Sequence, residues 1–288
     1  MLPEILKSFL LIAAELTILF FSITFIISLL QGFIPYERIE KYLFQSNKLI
    51  GSFVAVFLAF ITPFCSCSTI PVVATMLQRK MKFSFVMIFL FASPVLDPTI
   101  LTLMGVLLGW KVVILYTMIT SILSIIIGFT LEALGFESSV KNIIVKNQTE
   151  PQRKFNVKAA WQETISLMKT VYPFLIIGAL IGAIIHGAVP TEWIAKMFGG
   201  NEWWLIPIAA VIGIPLYIRL STMIPIANIM LIKGMALGPV MAIMISSTGA
   251  SLPEVTLLHS IFHKRLVIAF VISVLSMATL SGTLFYLI

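Results

Sequence analysis

Apolar runs long enough to cross a bilayer recur along almost the whole chain. They lie near residues 8–30, 49–77, 83–108, 111–134, 166–189, 203–232, 235–258 and 265–288. At about 1.5 Å of rise per residue, a helix made from each run reaches across a hydrocarbon core of roughly 30 Å. The breaks between runs hold the charges: Glu37, Arg38, Glu40 and Lys41; Arg79, Lys80 and Lys82; Lys111; Glu192 and Lys196; Lys233; Lys264 and Arg265. Only 11% of the 288 residues are charged and 59% are hydrophobic. Soluble domains carry roughly 25% charged residues. So few polar side chains cannot cover a globule in water, so the expected surroundings are a lipid bilayer. The expected fold is an all-α integral membrane protein of about eight transmembrane helices. The net charge of +7 sits in the breaks. There it tracks membrane orientation and gives no sign of nucleic-acid binding. Lys7 is followed by a long run containing Glu15, with no small-residue cleavage site closing it, which predicts a retained first helix.

The runs repeat. Gly32, Pro35, Glu37, Ile39 and Lys41 return as Gly187, Pro190, Glu192, Ile194 and Lys196 at one constant separation. Ser68-Thr69-Ile70-Pro71 resembles Ser221-Thr222-Met223-Ile224-Pro225, and Met76-Leu77 and Met81 return as Met230-Leu231 and Met235. The expected organisation is therefore two homologous four-helix halves, residues 1–135 and 161–288. A polar, basic linker over 136–160 joins them and carries Lys141, Lys146, Arg153, Lys154 and Lys158. Eight crossings would put both termini and the linker on one face, and the basic linker makes that face cytoplasmic. Four crossings per half make the repeats parallel; an odd count, with re-entrant segments, would make them inverted.

Several runs are interrupted near their middles. Pro63 and Pro71 flank Cys65, Ser66, Cys67, Ser68 and Thr69, and Pro215 and Pro225 flank Arg219, Ser221 and Thr222. Proline removes a helical hydrogen bond and clashes with the preceding turn. Backbone freed at membrane depth must be satisfied by protein or line a wet cavity. Ser68 or Thr69 is expected to cap a new helix with Pro71 in its first turn. Such an N-terminus, with free N–H groups and a partial positive charge, suits an anion or electron-rich ligand. A proline-kinked helix without a ligand is the competing reading, and the same break in both halves speaks against it. Further breaks fall at Pro94 and Pro98, around Asp97, and at Pro253, beside Glu254. A charge in an apolar span costs roughly 2.5–3.5 kcal/mol or more, so Asp97, Glu254 and Arg219 are expected to face the bundle interior. They serve there either as an ion-coupling site or as a buried pair such as Arg219 with Glu254. Glu15 and Lys169 occupy equivalent places nearer a membrane face, where snorkelling or a mutual ion pair suffices.

Cys65 and Cys67 are the chain's only thiols. Two sulfurs at this spacing can hold a soft centre. Equally, cysteine packs as a small hydrophobe, and the second break offers no Cys or His to complete a site. His259 and His263 share a helical face but stand beside Lys264 and Arg265 at a membrane boundary, which favours a surface role. No metal site and no cofactor are expected. A zinc-protease His-Glu-x-x-His and a Gly-rich Lys-Ser/Thr loop are both absent from the sequence, so no enzyme is expected.

The stretch from Thr62 to Pro71, with Ser93-Pro94 and Asp97-Pro98 after it, resembles the predicted permease family that includes bacterial organoarsenical efflux permeases. Pro215 to Pro225, Lys233-Gly234-Met235 and Gly249 to Glu254 resemble its YraQ-like branch. The likeness covers nearly the whole chain. It implies an efflux-type permease of a small solute in the cytoplasmic membrane of a bacterium or archaeon. It also implies that Cys65 and Cys67 engage a trivalent metalloid. One departure is Ser221, where an acid is expected in this branch. Two alternatives stand beside the metalloid permease. One is a small-anion transporter using Arg219 and the broken-helix N-termini. The other is a membrane thiol redox or metal-handling protein using Cys65 and Cys67.

Overall fold

The computed structural model describes residues 48–61, 66–78, 80–141, 203–215 and 235–287. It also describes isolated helical positions within 14–25, 161–176 and 224–231. The described chain is helical throughout: α1 (Lys48–Ile61), α2 (Ser66–Gln78), α3 (Phe83–Ala92), α4 (Pro98–Leu108), α5 (Trp110–Ala133), a 3-10 turn η1 (Phe136–Ser139), α6 (Leu205–Gly213), α7 (Leu237–Gly249), α8 (Leu252–Ile261) and α9 (Lys264–Leu287). Among the described residues no strand forms, and a lone antiparallel bridge joins Val140 to Phe262.

Local sequence explains the boundaries. Prolines start or stop several helices: Pro98 opens α4, Pro253 lies in the first turn of α8, and Pro215 follows α6. Gly109, at φ +96, turns the chain sharply between α4 and α5, in a backbone conformation that side chains with a Cβ resist. The α5 and α9 helices are 24 residues each and apolar enough to cross a membrane. Each is about 36 Å long. Their outward faces are apolar stripes, Trp110, Ile114, Met118, Ile122 and Ile126 on α5, and Ile268, Ile272, Leu280 and Leu284 on α9. In water such stripes would be a liability; against acyl chains they are the proper surface. By contrast, α3 is apolar on every side, and all ten of its residues are buried. A helix of that kind belongs in the middle of a bundle.

Packing repeats along the chain. On α1 the buried residues are Gly51, Ser52, Ala55 and Ala59. On α6, Leu205, Ile206, Ala209 and Gly213 are buried at the same constant separation that relates Met81 to Met235. The separation also carries Val113, Tyr116, Thr120, Ser124, Ile127, Gly128 and Leu131 of α5 onto Val267, Phe270, Val274, Ala278, Ser281, Gly282 and Phe285 of α9, all buried. Contacts follow suit: α1 packs on α3 and α3 on α5, while α6 packs on α7 and α7 on α9. Even the turn hydrogen bonds recur, Met81 N–H to the Met76 carbonyl at 3.2 Å and Met235 N–H to the Met230 carbonyl at 3.0 Å.

The matching helices α5 and α9 touch each other and run antiparallel. Midway, Ser124 Oγ lies 3.9 Å from Met277 Sδ. Beyond the end of α5, the chain meets the start of α9. Lys141 N–H donates to the Ile261 carbonyl at 3.1 Å, and His263 N–H to the Ser139 carbonyl at 2.9 Å. The Lys141 ammonium donates to the His259 carbonyl, and the Arg265 guanidinium lies 5.3 Å from the Phe136 ring centroid. We call this contact the clasp. Burial pushes the Lys141 ammonium below the usual lysine pKa range. A second pair of runs also meets out of level. Phe21 and Phe25, well inside the first run, pack edge-on against Trp161, which precedes the fifth, at 5.3 and 6.0 Å.

The α3 and α4 helices are separated by a turn at 93–97, and α7 and α8 meet at a bend of 42°. One sequence expectation needs correction. The helix after the first break starts at Ser66, so Ser68 and Thr69 lie inside α2 and do not cap it. Pro71 is then internal, and without an N–H it leaves the Cys67 carbonyl short of its helical bond. The end of α5 meets the start of α9, so the start of the linker and the last turn of α9 lie at opposite ends of α9.

Candidate functional site

The described part of the site gathers at three helix breaks. At the first, α2 presents Thr69, fully buried, whose Oγ1 lies 3.3 Å from Ser93 Oγ. Ser93 stands at the C-terminal end of α3 and donates its backbone N–H to the Phe89 carbonyl. This hydroxyl pair ties the start of α2 to the α3–α4 turn. At the second break, Val95 and Leu96 N–H both return to the Ala92 carbonyl, closing the turn that holds Pro94. Asp97 follows, half-buried; its carbonyl accepts the Leu101 N–H and so starts α4. Asp97 is among the residues engaged by partners.

The third break lies between α7 and α8. Ser246, Ser247 and Thr248 turn their hydroxyls back onto carbonyls of their own helix, Ile243 and Met244. Back-bonding of this kind slightly destabilises and bends a helix. Ser251 then begins α8, with Glu254 three residues on. Ser-x-x-Glu is the sequence of a capping box, in which the acid reaches back to the N-terminal N–H. Glu254 leans toward the Ser251 N–H. Neither of its oxygens reaches hydrogen-bond geometry with any described residue, and the residue is 1% exposed. The α2 and α8 helices pack together, so the Thr69 and Glu254 helices are neighbours.

Of the residues singled out from sequence, Thr69, Asp97, Glu254, Pro94, Pro98, Pro215 and the backbone of Ser66, Cys67, Ser68, Pro71 and Pro253 fall within the described residues. Cys65, Arg219, Ser221, Thr222, Pro63 and Pro225 lie outside them, as does the Arg219 side of the expected ion pair with Glu254. Sequence reasoning missed Ser93 as the partner of Thr69. Its only signal was the Ser-Pro step before a second proline. It also missed the clasp, where a lone Lys141 gave nothing to distinguish it from the rest of the basic linker. Among the described residues no cluster of His, Cys, Asp and Glu could hold a metal ion.

Residues 1–287 match the family model ArsP_1, described as "Predicted permease". The chain belongs to this family. As a predicted permease it is a multi-pass membrane protein, in keeping with its apolar helices. The UPF0718 protein MJ0584 of Methanocaldococcus jannaschii is 25% identical, covering 85% of this chain and 84% of the relative. The UPF0718 protein YraQ of Escherichia coli is 24% identical, over 83% of the chain and 68% of YraQ. A Streptococcus mutans protein named "Putative two-component membrane permease complex subunit" is 24% identical, over 90% of the chain and 89% of the relative. No solved structure matches. The family and the YraQ likeness read from the break motifs are thus borne out.

Proposed function

We propose that this permease is a secondary transporter whose two halves, residues 1–135 and 161–288, are inverted repeats that expose a shared site to each side of the membrane in turn. The antiparallel packing of α5 against α9 carries this reading. Helices with one burial pattern, touching at their middles and pointing opposite ways, are related by a two-fold axis lying in the membrane plane. Parallel repeats would meet level with each other; Phe21 and Phe25 against Trp161 meet far out of level, which supports the same relation. Inverted repeats with broken helices at the midplane are the architecture in which many transporters alternate access. Each half then crosses the membrane an odd number of times. The basic linker is cytoplasmic, and the C-terminal end of α9 lies on the opposite face. The Streptococcus mutans relative is named as a complex subunit. A second subunit therefore stands beside an ion gradient as a source of energy.

The substrate site is formed by the first break, Cys65, Ser66, Cys67, Ser68 and Thr69, together with Arg219, Ser221 and Thr222 of its counterpart. The substrate is a trivalent organoarsenical or related metalloid, exported across a prokaryotic cytoplasmic membrane. Thiolates prefer such a soft centre to the neighbouring hydroxyls. Expression in arsenical-sensitive cells should raise tolerance to a trivalent organoarsenical. Cys65→Ser and Cys67→Ser, at matched expression, should each reduce the gain about tenfold. If the parent itself leaves tolerance unchanged, the metalloid substrate is excluded. Arg219 and the helix N-termini then favour a small anion, to be tested by anion-dependent thermal stabilisation.

A further inference from the structure

We propose that Glu254 is a proton-binding site, a carboxyl that takes up and gives off a proton as the transporter cycles. This reading rests on the transporter assignment. It goes beyond it in naming the coupling ion and the atom that holds it. The residue is 1% exposed, and both oxygens lack a hydrogen-bond partner among the described residues. A carboxylate at membrane depth with no donor is costly, whereas a carboxylic acid is tolerated. Asp97, on the break between α3 and α4, has partners and is half-buried, so the two acids differ in kind.

Position adds a second argument. Glu254 sits in the first turn of α8, just past the 42° bend from α7. The α8 helix packs on α2 of the other proposed half and on α9, so it lies where one proposed half meets the other. A change in the bend angle or in the α2–α8 contact would admit water to the carboxyl. Among the described residues, charged groups on the helices packed against it are few. The α2 helix carries no Asp, Glu, Lys, Arg or His, and Cys67 is its one titratable residue. On α9, Lys264 and Arg265 are exposed at its start, and Tyr286 stands near its far end. On α8 itself His259 lies more than a turn away, and its carbonyl takes Lys141. A capping role alone would leave Glu254 with a fixed bond to the Ser251 N–H, which is not formed to hydrogen-bond geometry.

The test is infrared spectroscopy of the purified protein in lipid nanodiscs, with glutamate labelled by carbon-13 at the side-chain carboxyl. The label removes Asp97, the chain's single aspartate, from consideration. The wild type should show a protonated carboxyl band at neutral pH that is missing in Glu254→Gln. That band should shift in heavy water within minutes and vanish at alkaline pH. Glu254→Asp should replace it with an unlabelled band at a new position, which keeps the assignment secure if the Gln variant fails to fold. Two results overturn the proposal. Absence of any Glu254-dependent band at neutral pH means an ionised group, held by a cation such as Arg219. A band that neither exchanges in heavy water nor titrates means a fixed structural acid. Neither readout uses a substrate, so failure of the transport assay and failure of this proposal are separate events.

Discussion

A fluorescent protein inserted between residues 142 and 160 and alkaline phosphatase fused after the last turn of α9 are expected both to be active in the same bacterial host. The first matures only in the cytoplasm and the second only outside it. The expectation follows from α5 and α9. Each is a 24-residue apolar helix, long enough to span the bilayer. The residues just after α5 hydrogen-bond to the residues just before α9. A chain leaving α5 into the linker and a chain entering α9 therefore stand on one face. The far end of α9 must emerge on the other. Basic residues choose which face is which, since Lys141, Lys146, Arg153, Lys154, Lys158, Lys264 and Arg265 all gather at the linker end. The effect is all-or-none, so exchanging the two reporters should silence both. Activity of the same reporter at both positions would return the chain to four crossings per half and parallel repeats.

Gly282→Leu and Gly128→Leu are expected to destroy the packing of α9 and α5. A Cβ on Gly282 would lie 2.9 Å from the Gly238 carbonyl oxygen and 2.6 Å from the Ile206 side chain. A Cβ on Gly128 would lie 2.9 Å from the Ser84 carbonyl oxygen and 2.5 Å from the Ile88 side chain. In each case the obstacle includes backbone of the neighbouring helix, which cannot rotate away as a side-chain tip can. Helices in lipid are held by close packing rather than by expulsion of water, so a lost close approach is not recovered elsewhere. Overpacking costs about 1–3 kcal/mol where side chains give way, and more where backbone must move. The melting temperature of the purified protein, read by size exclusion after heating, should fall on the order of 10 °C or more. Ile272→Leu, on the outward stripe, should melt like the parent. If Gly282→Leu also melted like the parent, the α7–α9 crossing would not be as close as described.

Much of this was legible in the residues, because lipid leaves few choices. A run of apolar residues between charged breaks becomes a helix, and prolines at membrane depth mark where helices stop. Pro98 and Pro253 do stand at the starts of α4 and α8. Direction was not legible. Hydropathy is the same read from either end of a run, so 83–108 gave one apolar segment where the structure has α3, a turn and α4, and parallel and inverted repeats both stayed open. The capping expectation failed for a related reason. Ser68 and Thr69 suit an N-cap, yet α2 starts at Ser66, and Thr69 is buried against Ser93. Tertiary contact decided the side chain's role over local preference. For the site, sequence named both Asp97 and Glu254 as buried acids but could not tell the engaged one from the one that has no partner among the described residues. That difference depends on which helix lies alongside, and the pairing of α2 with α8 is not written in either helix alone.

The contact of Ser124 with Met277 sets a lever. From it to Arg265 is about 18 Å along α9 at 1.5 Å per residue. Rocking one helix about that point by roughly 10° moves its end by about 3 Å, as far as a whole hydrogen bond is long. The clasp of Ser139, Val140 and Lys141 with residues 259–263 cannot stretch that far. In the proposed alternating-access cycle it would act as a latch with a threshold angle: beyond that angle several bonds would break together, so the swing between states would be abrupt rather than graded.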